Sequence, residues 1–156
     1  ANKLTVKENL EFSAQIYGKD KRKARELAEE YMKSFDLTER ASDKARTLSG
    51  GMQRRLSIAM AMISKPKILF LDEPTLGLDV MARRKLRKHI EPLKGKVTVI
   101  LTTHYLEEAE ALADRIAIMD EGVIKAVGTA EELKQMTKKE SLEDAFVSLC
   151  AGEEDI

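Results

Sequence analysis

Apolar positions in the first third of the chain recur at helical spacing. Thr5-Val6-Lys7-Glu8 fits a capping box, with Thr5 as N-cap and Glu8 reaching back to it. Leu10, Phe12, Ala14 and Ile16 follow, and Tyr17-Gly18 closes the segment. Ala24, Leu27, Ala28, Tyr31 and Phe35 lie close to an i, i+3, i+4, i+7 stripe and predict a second helix from Lys21 to Phe35. Residues 37–47 turn polar, as in a connecting loop with a short helical turn. A third helix is expected from the Gly50-Gly51 pair to Ser64. Leu56, Ile58, Ala59, Met60, Ala61, Met62 and Ile63 make it apolar nearly all round, the mark of a buried helix. Lys65-Pro66 breaks it.

Beyond Pro66 the pattern changes. Ile68–Leu71 and Val97–Leu101 are short continuous apolar runs, of the kind buried on both faces of a parallel sheet. Between them Asp79 can cap a helix from Val80 to Ile90, with Pro92 and Gly95 marking its exit. Arg115–Met119 and Val123–Val127 flank Asp120-Glu121-Gly122, a hairpin turn. Thr129 with Glu132, and Ser141 with Asp144, open two further helices by capping logic. The expectation is an all-helical piece over residues 1–64, followed by an α/β piece with mainly parallel strands over 65–156. Glu153-Glu154-Asp155 reads as a frayed tail.

Composition bounds what such a chain can be. At 156 residues and 43% apolar content, it can pack one domain, or a core lobe with a small satellite. The 27 basic and 27 acidic residues cancel, so the charge footprint of a dedicated nucleic-acid binder is missing. The single Cys150 excludes an intrachain disulfide framework and fits a reducing compartment. No stretch approaches ~18 apolar residues, and no signal-peptide pattern is visible, so a membrane role has to come through a partner. Ala1 in place of Met reads as a trimmed start or an expression scar, and residue 1 is not taken as a natural boundary.

Three places can carry chemistry. Asp72-Glu73 ends an apolar strand, and in open α/β sheets ligands bind just beyond the carboxyl ends of parallel strands. Successive strand residues point to opposite sides, which allows Asp72 to hold Mg²⁺ through water and Glu73 to face an attacking water as general base. The same pair, followed by Pro74, also fits an acidic opening to an exposed turn. Ser49-Gly50-Gly51 before a helix can present unpaired N–H groups and a hydroxyl to a phosphate; taken alone, a Gly-rich turn with Ser49 as N-cap is the commoner use of such a triplet. His104 follows the second apolar strand, where it can donate to a terminal phosphate, although lone histidines are more often structural. Asp79 most simply caps the following helix, and Gln53 most simply is an exposed side chain. The basic clusters Lys19–Arg25 and Arg83–Lys88 read as solvated faces that can also dock an acidic partner.

Taken in order, these elements resemble one family. Leu48-Ser49-Gly50-Gly51-Met52-Gln53 resembles the signature motif of ABC-type ATPases, and Ile68–Asp72 plus Glu73 resembles their Walker B strand and catalytic glutamate. Leu76-Gly77-Leu78-Asp79 matches their D-loop, and His104 falls where their switch histidine belongs. The resemblance continues through Asp114–Thr129, and "LTVKENL" looks like the segment just after the family's Q-loop, so nearly the whole chain is covered. It implies the C-terminal part of a P-loop NTPase (RecA-like) core, with a mainly parallel sheet preceded by an all-α helical subdomain. It also implies ATP and Mg²⁺ as ligands. In that family ATP is sandwiched between two nucleotide-binding domains arranged head to tail. Ser49, Gly50, Gly51 and Gln53 would belong to the half-site handed to the second domain, of the same or a different kind. Asp72 would serve the metal, Glu73 would polarise the attacking water, His104 would sense the γ-phosphate and Asp79 would couple the two sites. The implied setting is the inner face of the cell membrane, cytoplasmic and peripheral, against a transmembrane permease subunit.

The departures carry equal weight. Nowhere in the 156 residues is there G-x-x-x-x-G-K-[ST], the loop that cradles the nucleotide's phosphates. The Q-loop glutamine and the adenine-stacking aromatic lie upstream in the family, and Gln15 falls after the "LTVKENL" segment and so is not that glutamine. The chain alone is therefore expected to bind ATP weakly or not at all and to hydrolyse none. The leading expectation is a piece of a transporter subunit, cut by design or by a split gene. "SLEDAFVSL" resembles the close of exporter-type subunits. Two alternatives stand beside it: a soluble ABC protein acting on ribosomes or nucleic acid, and a non-catalytic half that completes another chain's site.

Overall fold

The computed structural model describes residues 3–151, and the acidic tail Glu153–Asp155 lies outside the described residues. Two compact units divide between Thr102 and Thr103.

The first unit opens with three helices. Helix α1 (Val6–Ile16) begins at the Thr5–Glu8 capping box, with Glu8 N donating to Thr5 Oγ1 at 3.1 Å and Thr5 N donating to Glu8 Oε2 at 2.7 Å. Its start is tied to the polar connection further on, where Val6 N donates to Asp43 O and Lys7 N to Ala41 O, both at 3.0 Å. Helix α2 (Lys21–Ser34) is capped by Asp20 and packs on α1, burying Val6, Leu10 and Ala14 against Ala24, Leu27 and Ala28. Two 3-10 turns, Thr38–Arg40 and Ala45–Thr47, supply the short helical content foreseen for the loop.

Helix α3 (Gly50–Met62) starts at the glycine pair, but it is one-sided rather than buried all round. Leu56, Ile58, Ala59 and Met62 are buried, while Met60 and Ala61 are half-buried and Gln53, Arg54 and Ser57 are exposed. Arg55 is buried among the apolar residues, which the composition of the helix did not announce.

Strands β1 (Ile68–Asp72) and β2 (Thr98–Thr102) pair in parallel, joined through helix α4 (Val80–Ile90). Parallel neighbours need such a crossover. The register sets Phe70 opposite Ile100 and Asp72 opposite Thr102. The expected burial on both faces is not what this unit shows. Leu69 and Leu71 point inward, whereas Ile68, Phe70 and Ile100 are exposed at 50%, 71% and 44%. Alternation along a strand sends neighbours to opposite faces, and only one face is packed here.

The second unit holds α5 (Leu106–Leu112), β3 (Ile116–Asp120), β4 (Val123–Gly128), α6 (Ala130–Thr137) and α7 (Leu142–Cys150). Strands β3 and β4 are antiparallel and joined by Glu121-Gly122, both at positive φ (48° and 79°), as a two-residue type I′ hairpin demands. Ile116, Ile118, Ala126, Leu133 and Leu142 form the core of this unit. Helix α5 is the element the apolar pattern did not reveal. Its N-cap, Tyr105, makes no side-chain capping bond, so no capping signature marks its start.

Candidate functional site

The glycine pair sits in the first turn of α3, with Ser49 and Gly50 exposed and Gly51 half-buried. Ser49 is the N-cap, and its Oγ accepts from Met52 N at 3.4 Å. That bond uses a lone pair and leaves the hydroxyl proton to donate. Gln53 N donates to Ser49 O at 2.9 Å, so the amides of Gly50 and Gly51 are the first-turn donors without an intrahelical acceptor. Gln53 is exposed, and its Nε2 donates back to Leu48 O at 3.0 Å, bracing the turn from outside.

The end of the β1–α4 connection packs against this turn. A Cβ on Gly51 would stand 3.2 Å from Ala82 Cβ, and one on Gly50 would stand 3.4 Å from Leu78 Cδ2. Asp79 caps α4, its Oδ1 accepting from Ala82 N at 2.9 Å. Two turns hold it there, with Leu76 N donating to Glu73 O and Leu78 N to Thr75 O, each at 3.1 Å. Gly77 between them has a φ of 75°, which a side chain would resist. Structure therefore brings Asp79 to the triplet Ser49, Gly50 and Gly51, from which it is far apart in sequence. A groove of about 800 Å³ opens beside them, lined in part by Ser49, Gly51, Asp79, Ala82, Arg40 and Lys85.

At the carboxyl ends of β1 and β2 stands a second cluster. Thr102 Oγ1 donates to Asp72 Oδ1 at 2.5 Å. Glu73 N donates to Thr102 O at 3.1 Å and approaches Thr102 Oγ1 at 3.2 Å. Asp72 is exposed on the same face as Phe70 and Ile100, while Glu73, just past the strand end, is half-buried with a φ of 44°. A non-glycine residue in the left-handed region carries backbone strain of about 1–3 kcal/mol, the kind that clusters where a side chain must be aimed. Thr102 is the residue that sequence reasoning missed. Its signal was its place one strand over, at the same register position as Asp72.

The donor set suits a hard cation held in part by other ligands. Asp72 offers exposed carboxylate oxygen beside a hydroxyl, and among the described residues no three His, Cys, Asp or Glu gather into a closed metal cage. Mg²⁺ is commonly held by one or two carboxylates plus water and phosphate oxygens, so these residues fit one corner of its shell. His104 belongs to the second unit, exposed, with its ring 4.2 Å from that of Tyr105 at a tilt of 40°.

The family model described as ABC transporter matches residues 1–76. Daunorubicin resistance ATP-binding protein DrrA3 of Streptomyces coeruleorubidus is 45% identical over 135 residues, 86% of this chain and 43% of its own length. Linearmycin resistance ATP-binding protein LnrL of Bacillus subtilis is 44% identical over 131 residues, 83% of this chain and 42% of its own. A solved ATP-binding subunit of an ABC transporter superposes with a TM-score of 0.79 at 30% identity, covering 96% of this chain and 63% of that one. The chain belongs to the ABC transporter ATPase family. Its α/β fold is that of an ABC ATP-binding subunit, a P-loop NTPase fold. The chain spans less than half the length of these two resistance proteins.

Proposed function

We propose that this chain supplies the signature motif, the catalytic carboxylate and the switch histidine of an ATP-hydrolysing transporter subunit, exporter-type, to a nucleotide held by a P-loop on another segment or chain. The observation that carries the reading is the Asp72–Thr102 pair standing at the carboxyl end of an uncovered apolar sheet face. A segment that covered Phe70 and Ile100 would come up against Asp72, and these 156 residues contain no P-loop of their own.

The chemistry follows from positioning. Phosphoryl transfer rests on placement and electrostatics, and splitting a site between two bodies makes hydrolysis depend on their closure. Ser49 Oγ and the amides of Gly50 and Gly51 would bind the γ-phosphate of a nucleotide seated on a second nucleotide-binding domain. Glu73 would orient the attacking water and take its proton, its carboxylate aimed by the bond from its own N–H to Thr102. Asp72, with Thr102 fixing one of its oxygens, would hold Mg²⁺, which when bound supplies positive charge to the β- and γ-oxygens. His104 would donate a hydrogen bond to the γ-phosphate, and Asp79 would reach across the interface from the start of α4. Residues 1–64 would be the helical subdomain, and residues 65–156 the adjoining part of the ATPase core. Docking on a transmembrane permease at the inner face of the membrane completes the reading. It is supported by the resistance functions in the relatives' names, and among the described residues no helix is long and apolar enough to cross a membrane.

Complementation tests this. The purified chain alone is expected to hydrolyse no ATP. Mixing it with a separately expressed P-loop-bearing segment of a relative restores turnover, and Glu73→Gln in this chain abolishes it. Tight Mg-ATP binding by the chain alone in calorimetry would sink the proposal.

A further inference from the structure

Helices α3 and α4 begin at the candidate site, and both also reach the end of α2. There α2 stops and the chain turns through Phe35 and Asp36, the latter with a left-handed φ of 52°. The last carbonyls of a helix have no intrahelical donors and carry its negative end. Two of these, and the carbonyl of Asp36 just beyond, meet side chains from the other two helices. Ser34 O lies 3.1 Å from His89 Nδ1 on α4, and Arg55 Nη1 on α3 donates to Phe35 O at 2.8 Å and to Asp36 O at 3.3 Å. The Asp36 carboxylate stands 3.3 Å from His89 Nε2 and 3.8 Å from Arg55 Nη1. The His89 ring stacks on Phe35 with centroids 5.5 Å apart, and Arg55 is 6% exposed.

We propose that Arg55, Asp36 and His89 form a proton-responsive positioning device, which holds α3 and α4 in the relation that packs Gly51 on Ala82. Both nitrogens of His89 face oxygens that only accept, and a neutral imidazole carries a single N–H. One proton therefore serves one contact, and a second proton would serve both. Against that second proton stand burial of the ring and the neighbouring Arg55 guanidinium, which together hold His89 below its ordinary value of 6.5 despite Asp36 and Ser34 O. The charged groups acting on the ring are thus Arg55 from α3 and Asp36 from the end of α2. On α4 itself Lys85 and Lys88 are exposed to solvent. The proposed switch runs between a neutral ring that serves one acceptor and a cationic ring that serves both beside a second cation. Such a two-state element can shift what it supports. What it supports is α3 close to its start, where Arg55 follows Gly51 by one turn, and the far end of α4, whose first turn packs Ala82 on Gly51.

The significance for nucleotide binding rests on the reading that Ser49–Gly51 grips a phosphate; the positioning claim does not, and it is tested on the chain alone. The chain has two histidines, His89 and His104, so proton NMR of the imidazoles resolves each titration. The expected result is a His89 midpoint below 6.5, with the backbone amides of Gly50, Gly51 and Ala82 shifting along the same curve. In His89→Gln that amide titration is lost while the His104 curve is unchanged. Amides of Gly50, Gly51 and Ala82 that stay flat through the His89 midpoint, or that follow His104, overturn the proposal. The wild-type titration decides even if the variant does not fold. Failed complementation with a P-loop segment would remove the ATPase reading and leave this coupling standing.

Discussion

Gly50 and Gly51 are adjacent and answer to different demands. A methyl on Gly50 would meet only the far end of the Leu78 side chain at 3.4 Å, which can move aside. On Gly51 it would meet the Cβ of Ala82 at 3.2 Å, an atom fixed to the α4 backbone. Helix propensity favours Ala over Gly by at most about 1 kcal/mol near a helix start, whereas overpacking costs about 1–3 kcal/mol. Gly50→Ala is therefore expected to be neutral or stabilising by up to about 1 kcal/mol, and Gly51→Ala to destabilise by about 1 kcal/mol. Urea midpoints of the two variants check this, and equal shifts of the same sign would contradict it. At this scale the sequence displayed the residue types of the site but not their neighbours. Ser49, Asp72 and Asp79 were open to proposal from the sequence because motif spacing marks them. Thr102 and Arg55 were not, because a threonine ending a strand and an arginine in a helix are ordinary until the register and the α2 turn reveal their partners.

Capping chemistry accounts for how well the helix starts were legible. Thr5, Ser49, Asp79, Thr129 and Ser141 each accept from the amide three residues on, as their sequence context implied, and Asp20 does the same at the start of α2. Where no such residue exists, as before α5, the pattern was silent. Asp79 does double service, since α4 both starts there and sets the wall against Gly51. Asp79→Ala is expected to cost about 1 kcal/mol of stability and to speed hydrogen exchange over the first turn of α4, read by mass spectrometry. His89 links α4 to α2 and gives the unit a pH dependence. Its folded value lies below the ordinary 6.5, so between the two the unfolded chain binds more protons. That stabilising contribution is complete above pH 6.5 and is lost as pH falls through the folded value. Urea midpoints measured across that window should decline on acidification, and the decline should be shallower in His89→Gln.

For the molecule as a whole, the uncovered face of β1–β2 matters most. The runs Ile68–Leu71 and Val97–Leu101 read as strands buried on both faces, and that reading fails here only because nothing in this unit covers one side. The residues themselves are of the covered type. Ile68, Phe70 and Ile100 present aliphatic and aromatic surface to water, and burying such a side chain is worth about 1.5–3 kcal/mol. A two-stranded sheet also leaves both its edges unpaired, a template for further strands. Kept alone in solution, the chain is therefore expected to associate through this face, giving light-scattering masses above the 17.5 kDa of a single copy. Phe70→Asp places a charge at the centre of that face and should return the chain to a monomer without loss of helix content by circular dichroism, since Phe70 at 71% exposure contributes little to the unit's own core. High salt weakens attraction between charges and leaves apolar burial intact, so association by this route should survive it. A P-loop-bearing segment that restored ATPase activity should compete with self-association for the same surface, and adding it should lower the homo-oligomer mass while turnover rises. If turnover rose with the homo-oligomer untouched, the two would be using different surfaces, and the place assigned to Phe70 would be wrong.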